Sequence, residues 1–446
     1  MPCSESRRAS ERTVVKLRMF VVAWCLASTD AFAQQLLTLE EAIARGLQYS
    51  ARLAEIEARR AGAEAAEAGR SAAKLPVLAA QAGYTRTNHV DEFFIVTLGA
   101  QRGVLYPDVP NNYRSRLDLQ WPIYTAGRAD ALERAARAEV NAVGADLDAA
   151  RADLKLEITR AYWALVTARE TEQVVARSLE SLDTHLRDLR ARLGQGLIPP
   201  NEVLTAEAHR SRERVLSIES ANARAVAESD LRRLIGASDR GQILNLAPVV
   251  LERGQPAQET RSDPGDARPE RRALDQRLTA ARERVAAVAA SGRPQLFAAG
   301  GYDYARPNPR IFPRADVWEH SWDASINVSW TLWDGGRRRA EQAEAAAVAT
   351  AVEARITEFD RQVDFDVEAR RLELESARAA IVAAEDGIRS AAEARRVVGE
   401  RYNAGVVTST DVLDAEIALL QAELDRTRAM ANARLAEARL ERALGR

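Results

Sequence analysis

Two aspartates, Asp411 and Asp414, head an Ala- and Leu-rich segment near the C-terminus. Taken alone, Asp411 suits a helix N-cap and Asp414 an early helical turn, where the dipole favours acid. The other residue types that do chemistry are sparse or scattered. Four histidines, His89, His185, His209 and His320, show no ligand spacing, and the chain carries no HExxH, nucleophile elbow, phosphate-binding loop or dinucleotide fingerprint. Both cysteines, Cys3 and Cys25, lie near the N-terminus, so the remainder has no thiol for disulfide, metal-thiolate or nucleophilic chemistry. Tyr162 and Trp163 fall within a long helical stretch and read as packing residues. Carboxylates abound, but on wet helical faces. The chain does not read as an enzyme, and no metal or cofactor is expected.

What must position these residues is a large amount of helix. The 446 residues are rich in Ala, Arg, Glu and Leu, which favours long helices over mixed folds. Lys and Arg number 63 against 65 Asp and Glu, net −2, and the two signs interleave. Nucleic acid requires a one-sided basic face, so nucleic-acid binding is set aside. Residues 1–33 read as a cleaved export signal: Arg7, Arg8, Arg12, Lys16 and Arg18 precede the apolar run Met19 to Ala27, and Ala31-Phe32-Ala33 gives the small-x-small cleavage pattern. The run is too short for a membrane anchor, and bulky Trp24 before Cys25 argues against lipid attachment there. No other segment is apolar enough for a transmembrane helix, so a membrane role would rest on strands.

An internal duplication organises the chain. Trp121 and Trp330, Arg128 and Arg337, Gly196 and Gly405, Leu204 and Leu413, and Glu207 and Glu416 each lie 209 residues apart. Upstream, Pro76 and Pro294, and Tyr84 and Tyr302, lie 218 apart, so the first half carries nine extra residues between Tyr84 and Trp121. The first repeat, 34–250, is expected to run helix, strand 77–87, loop, strand 113–124, long helix 128–193 and helix 199–236. The second, 251–446, opens with a Pro/Gly/Asp-rich linker to 268 and continues as helix 269–291, strand 295–305, loop, strand 321–333, long helix 336–402 and helix 409–444. Thr38 with Glu41 makes a capping box for the first helix, which the pattern carries to about Lys74, and Pro269 opens its counterpart.

After Pro76 the period changes to two. Leu78, Ala80, Ala82 and Tyr84 alternate with Gln81, Gly83 and Thr85, and Leu117, Leu119 and Trp121 with Arg116, Asp118 and Gln120. Trp322, Ala324, Ile326, Val328, Trp330 and Leu332 alternate likewise with Asp323, Ser325, Asn327, Ser329 and Thr331. A half-buried soluble strand gives the same pattern. Aromatic placement favours a membrane barrel, because Tyr84, Trp121, Tyr302, Trp322, Trp330 and Trp333 crowd the strand ends as interfacial girdles do. From Arg128 to Leu193 there is no proline, and a stripe through Leu147, Leu154, Ile158, Leu165, Val175, Leu182, Leu186 and Leu189 marks a coiled-coil seam on a helix about 100 Å long. A cytoplasmic scaffold would share that stripe, but not the export signal, the aromatic-edged strands or the duplication. Four strands cannot lie open in lipid, where edge amides go unsatisfied, so closure needs several chains. A pore that continues into a wide helical tube favours three chains over two.

Over the whole chain after the leader, these features resemble the TolC family of outer-membrane efflux and secretion channels. Leu37-Thr38-Leu39-Glu40-Glu41-Ala42-Ile43 is similar to the family's first helix, and Trp121-Pro122-Ile123-Tyr124-Thr125-Ala126-Gly127-Arg128 and Trp330-Thr331-Leu332-Trp333-Asp334-Gly335-Gly336-Arg337 to its strand-to-helix junctions. The most specific run is Arg401-Tyr402-Asn403-Ala404-Gly405, followed by Asp411-Val412-Leu413-Asp414-Ala415. The resemblance implies a mainly α fold with a membrane β part. A homotrimer would form a twelve-stranded β-barrel, four strands per chain, continued by a long α-helical coiled-coil barrel built from two structural repeats. It implies an outer-membrane location reaching into the periplasm, contact with outer-membrane lipid, and work as a passive exit duct for efflux or type I secretion. Its partners would be a periplasmic adaptor (membrane fusion protein) and an inner-membrane pump of RND, ABC or MFS type.

At the tip, Asp411 and Asp414 match two aspartates that ring a constriction and contact passing cations; three copies would converge six such carboxylates on one axis. Tyr402 matches a tyrosine of the closing network, and Glu202 takes the place of its acidic partner. Val407 stands where the best-described gate has an arginine, so the salt-bridge part of that lock is not carried over. Gly194, Gly196 and Gly405 would make the tip reversals, where the adaptor is expected to touch.

Overall fold

The switches between helical and period-two patterning resolve, in a computed structural model, into two successive helix–strand–strand–helix–helix units. Residues 36–96, 102–237, 244–247 and 268–445 are described; the expected export signal, and all of the expected linker except Arg268, lie outside them. The first helical pattern is broken, giving α1 (Leu39–Tyr49) and α2 (Ala51–Ala72) rather than one helix to Lys74. Thr38 and Glu41 form the capping box. Ser50 is extended and accepts the Leu53 N–H at 3.3 Å, a side-chain cap that competes with helix continuation.

Strand β1 (Val77–Arg86) is followed by a short hairpin, β2 (Phe93–Val96) and β3 (Arg102–Tyr106), inside the segment expected to be loop. This hairpin accounts for the extra length of the first repeat. Next come β4 (Asn111–Tyr124), α3 (Arg128–Gly194) and α4 (Pro200–Leu234). The second repeat runs α5 (Pro269–Ala290), β5 (Gln295–Arg306), β6 (Glu319–Ser329), α6 (Arg337–Asn403) and α7 (Ser409–Ala443). Strand β6 stops at Ser329, short of the expected 333. The chain there turns into α6 through Gly335 and Gly336, both at positive φ, and the Asp334 carboxylate accepts the Gly336 and Arg338 N–H groups at 3.1 Å.

The main sheet has the order β1-β4-β5-β6 and is antiparallel throughout, so β4–β5 pairing joins the repeats and, among the described residues, β1 and β6 are free edges. Below it, α3 is the central column, packed on α1, α2, α4, α5 and α7, whereas α6 meets only α5 and α7 to any extent among the described elements. Near the sheet α3 buries Ala131, Ala135, Ala138, Ala142, Ala145 and Ala149, small side chains that let neighbouring helices approach closely. Halfway down, Leu147, Leu154, Ile158 and Leu165 join Leu37, Leu53, Leu231 and Ile235 in the main core. There Leu37 bridges Leu246, and the Tyr162 hydroxyl donates to the Leu37 carbonyl at 3.3 Å.

Candidate functional site

Two regions carry the residues singled out by sequence: the tip, where the long helices reverse, and the sheet at the other end. The two tip turns match. Leu197 N–H donates to the Arg192 carbonyl at 3.0 Å and Gly196 N–H to Leu193 at 2.9 Å; in the second repeat Val406 N–H donates to Arg401 at 2.9 Å and Gly405 N–H to Tyr402 at 3.0 Å. Gly196 and Gly405 take φ of +71° and +72°, the left-handed helix end that a side chain would strain. Gly194 is still helical and needs no such freedom.

Thr408, not Asp411, is the N-cap of α7. Asp411 is the acid of a capping box, its Oδ2 accepting both the Thr408 hydroxyl and the Thr408 N–H at 2.7 Å. Those bonds, the hydroxyl's first, hold its carboxyl below the usual carboxylate range. Asp414, one turn on, is exposed. The 209-residue register sets Glu202 against Asp411 and Thr205 against Asp414, so the aspartate pair belongs to the second repeat alone.

Tyr402 is buried among Leu182, Leu186, Leu189, Val203 and Leu413, with Val407 packed on the same cluster. Among the described residues its hydroxyl has no hydrogen-bond partner, so it makes no bond to Glu202, which instead occupies the first turn of α4. What Tyr402 does meet is Arg192, whose guanidinium carbon lies 4.7 Å from the ring centre, and the His185 ring, edge-on at 5.6 Å. His185 Nε2 lies 3.0 Å from the Ser409 hydroxyl, a polar link between the repeats. Burial pushes the His185 imidazolium down and the Tyr402 phenol up. Sequence reading missed His185 because it tested histidines for ligand spacing. The signal was its position, three residues after Leu182 and four before Leu189, beside the apolar seam.

In the sheet, strand register sorts side chains into two faces. Ala80, Leu117, Tyr302 and Trp322 form one row of the apolar face, and Leu78, Leu119, Gly300 and Ala324 another. On the opposite face, Gln81, Arg116, Asp303 and Ser321 align, as do Ala79, Asp118, Gly301 and Asp323. Arg116 is the hub of that polar face, pairing with Asp118 at 2.6 Å, with Asp323 at 3.2 Å and with Asp303. A Cβ at Gly301 would collide with the Arg116 guanidinium, so glycine there clears the way across β5.

At the helical end of the sheet, Trp121 Nε1 donates to the Lys74 carbonyl at 3.2 Å and Trp330 Nε1 to that of Gly292 at 3.1 Å, equivalent bonds in the two repeats. Exposed Trp333 lies at the same end. At the far end the rings of Tyr84 and Tyr113 lie 5.0 Å apart, Tyr113 and Trp318 5.9 Å, and Trp318 and Tyr304 4.9 Å. Tyr302 and Trp322 face each other further in. Tyr113 to Trp121 spans nine residues of β4, and a tilted strand needs about that many to cross a bilayer. Among the described residues no helix is long and apolar enough to cross one, and no cluster of His, Cys, Asp or Glu could hold a metal ion.

The outer membrane efflux protein profile matches residues 38–237 and 266–446. The chain belongs to the outer membrane efflux protein family. Those two matched segments coincide with the two repeats, and the interval between them falls on the linker region. Protein CyaE of Bordetella pertussis is 27% identical over 313 residues, 69% of this chain. The chain spans only 65% of the length of that curated relative. Among solved structures, the CmeC outer membrane channel of Campylobacter jejuni superposes with a TM-score of 0.78 at 16% identity, over 91% of this chain and 85% of that one. The MtrE outer membrane channel of Neisseria gonorrhoeae, in its open state, does so at 0.76 and 21%, over 91% and 88%. The family's mostly helical fold, with its few strands and two repeats, is therefore the fold of this chain.

Proposed function

We propose that the chain is the outer-membrane subunit of a passive exit duct, with three copies closing a twelve-stranded barrel that continues as a helical tunnel across the periplasm. The observation that supports this most is the sheet. Among the described residues its β1 and β6 edges are unpaired and its apolar face is bare, with Trp322 72% and Ile326 70% exposed. In water such a face would be a large sticky patch, and in lipid the open edges would leave amides unsatisfied. Pairing β1 of one copy with β6 of the next relieves both, puts the apolar rows in lipid and turns the Arg116 lattice inward. Helices of 67 residues, about 100 Å each, then carry the tunnel to a periplasmic tip.

At that tip the aspartates of three copies ring the axis and draw cations. Asp414 is the freer of the two, because Asp411 is committed to Thr408. Tyr402, held by Arg192 and His185 rather than by Glu202, keeps the tip packed. The turns at Gly196 and Gly405, with Gly194 beside them, meet a periplasmic adaptor. An inner-membrane pump of RND, ABC or MFS type supplies the energy, and the duct serves small-molecule efflux or type I secretion equally well on these features.

Planar-bilayer conductance of the detergent-extracted protein, with its mass taken in the same preparation, is the direct test. Cation-preferring pores from a trimer are expected; a monomeric, non-conducting species would overturn the reading. Within conducting pores, Asp414→Ala should relieve block by a trivalent cation more than Asp411→Ala does. Equal block in both variants and the native pore would remove the aspartates from the constriction.

A further inference from the structure

At the end of β5 away from the helices, Asp303 and Ala305 are 2% and 1% exposed on the polar face, although Tyr302 and Tyr304 between and beside them are open on the other. Asp303 lies under the Arg114 and Arg116 guanidinium groups, and Ala305 borders the cavity beneath the β5–β6 connection. Beyond Arg306 the chain folds back over the polar face instead of extending outward. Buried Asn308 donates from Nδ2 to the Glu319 carbonyl and the Ser321 hydroxyl, both at 3.1 Å, while its Oδ1 accepts the Arg310 N–H at 3.0 Å. A buried amide satisfied on both sides is a fixed point, not a passing contact. Arg310 reaches further, to the Trp322 carbonyl at 3.1 Å and the Asp323 carboxylate at 3.0 Å. Asp323 lies four residues into β6 from Glu319, about 13 Å along the strand.

The same segment is tied sideways. Arg314 donates to the Asn112 side chain at 2.9 Å and to the Tyr106 hydroxyl at 2.6 Å, linking it to the start of β4 and to the β2–β3 hairpin. Arg306 and Asp316 close its base at 2.8 Å. Between the segment and the sheet lies a cavity of about 320 Å³, bordered by Gln81, Arg114 and Arg116 on the sheet and by Pro307, Pro309 and Arg314 above. The segment thus arches over the far ends of β4, β5 and β6, and β1 borders the cavity at its open side.

We propose that residues 307–316 form a strap that narrows the duct at its outer mouth, at the opposite end from the tip, and that Asn308 and Arg310 are the positioning residues that hold it inside the lumen. This rests on the reading of the polar face as the lumen. Three such straps, one per copy, would leave an opening narrower than the barrel wall alone defines. Their release would widen it without any movement of the helices.

Thiol accessibility tests this, because the chain after Cys25 has no cysteine of its own. Gln81→Cys borders the cavity between strap and sheet, and a bulky, membrane-impermeant maleimide is added outside intact cells. Slow labelling is expected in the otherwise native chain, and labelling at least ten-fold faster when Asn308→Ala and Arg310→Ala are added. Arg310→Lys, which keeps the charge but loses the fork that reaches both Trp322 and Asp323, should fall between. Both positions lie outside the paired strands, and a trimer band on a gel verifies folding. Equal rates at Gln81→Cys with and without the strap bonds overturn the strap and leave the duct standing. Labelling of Ala80→Cys, on the apolar face, in place of Gln81→Cys would overturn the lumen assignment, and with it both the strap and the proposed duct.

Discussion

Helices α3 and α6 are each 67 residues long and end in the same turn, yet nineteen residues are buried along α3 and six along α6. The difference lies in the side chains at equivalent positions. At mid-height α3 presents Val174, Val175, Ser178 and Leu182, whereas 209 residues on α6 presents Ala383, Ala384, Gly387 and Ala391 along an open groove against α7. At the tip the bias reverses: Leu413 is 2% exposed and its first-repeat counterpart Leu204 64%. Duplication has kept what the backbone encodes, namely helix length, turn and strand register. The apolar positions have diverged so that one column is internal to the chain and the other is left bare. A long helix can leave its other side in water when that side is polar, but apolar side chains there call for cover. In the proposed trimer, a neighbouring copy covers that side of α6.

The largest effect should come from breaking the bare side. Phe365 on α6 is 68% exposed in the single chain, with Leu372 and Val382 open beyond it. Burying a phenylalanine against a neighbour contributes about 1.5–3 kcal/mol, and the proposed trimer would form that contact three times. Phe365→Glu should therefore abolish the trimer in native gels and mass measurements while far-ultraviolet circular dichroism stays helical. A trimer of unchanged stability would mean that the open face of α6 is not the seam.

Next in size is the tip pair. Leu413→Ala opens a cavity in the cluster that holds Tyr402 and should cost about 2–4 kcal/mol. Leu204→Ala, at the equivalent place, should change the isolated chain by no more than about 0.5 kcal/mol. Thermal unfolding of both variants, with and without the Phe365→Glu change, separates packing within a chain from packing between chains. If Leu204→Ala is costly only in the trimer, the first-repeat tip is a second seam.

Much of this comparison is legible in the amino-acid sequence. The 209-residue register predicts paired helices of equal length, and period-two alternation sorts the strand faces, because both are local consequences of backbone geometry. Ser50 was not legible as a break, since the helical pattern continues on both sides and only the cap bond to Leu53 decides it. The β2–β3 hairpin was hidden because Phe93–Val96 is a short apolar run among Pro, Asn and Asp. Among the tip residues, the turns at Gly196 and Gly405 were readable as backbone requirements. Tyr402's contacts with His185 and Arg192 were not, because they join residues more than two hundred positions apart through packing alone.

The smallest effects are those of two first-repeat groups that the second repeat lacks: His185, opposite Ala394, and Glu213, opposite Ala422. Burial depresses His185 from its ordinary 6.5, so below about pH 6.5 the unfolded chain takes up the proton first and folding stability falls as pH drops. His185→Gln, which can still bond Ser409, should flatten that acid-side loss. Glu213 works in the opposite sense. Burial raises it above its ordinary 4.5, although the Ser178 hydroxyl donates to it at 3.0 Å, and its second carboxylate oxygen has no partner among the described residues. As pH rises through 4.5 the unfolded chain loses its proton before the folded one does, so stability falls with increasing pH and the full penalty stands at neutrality. Glu213→Gln should therefore stabilise the protein at pH 7 by up to about 1 kcal/mol and leave it unchanged below pH 4. A variant that is destabilised at pH 7 would show that the Ser178 bond to the carboxylate outweighs the cost of burying it.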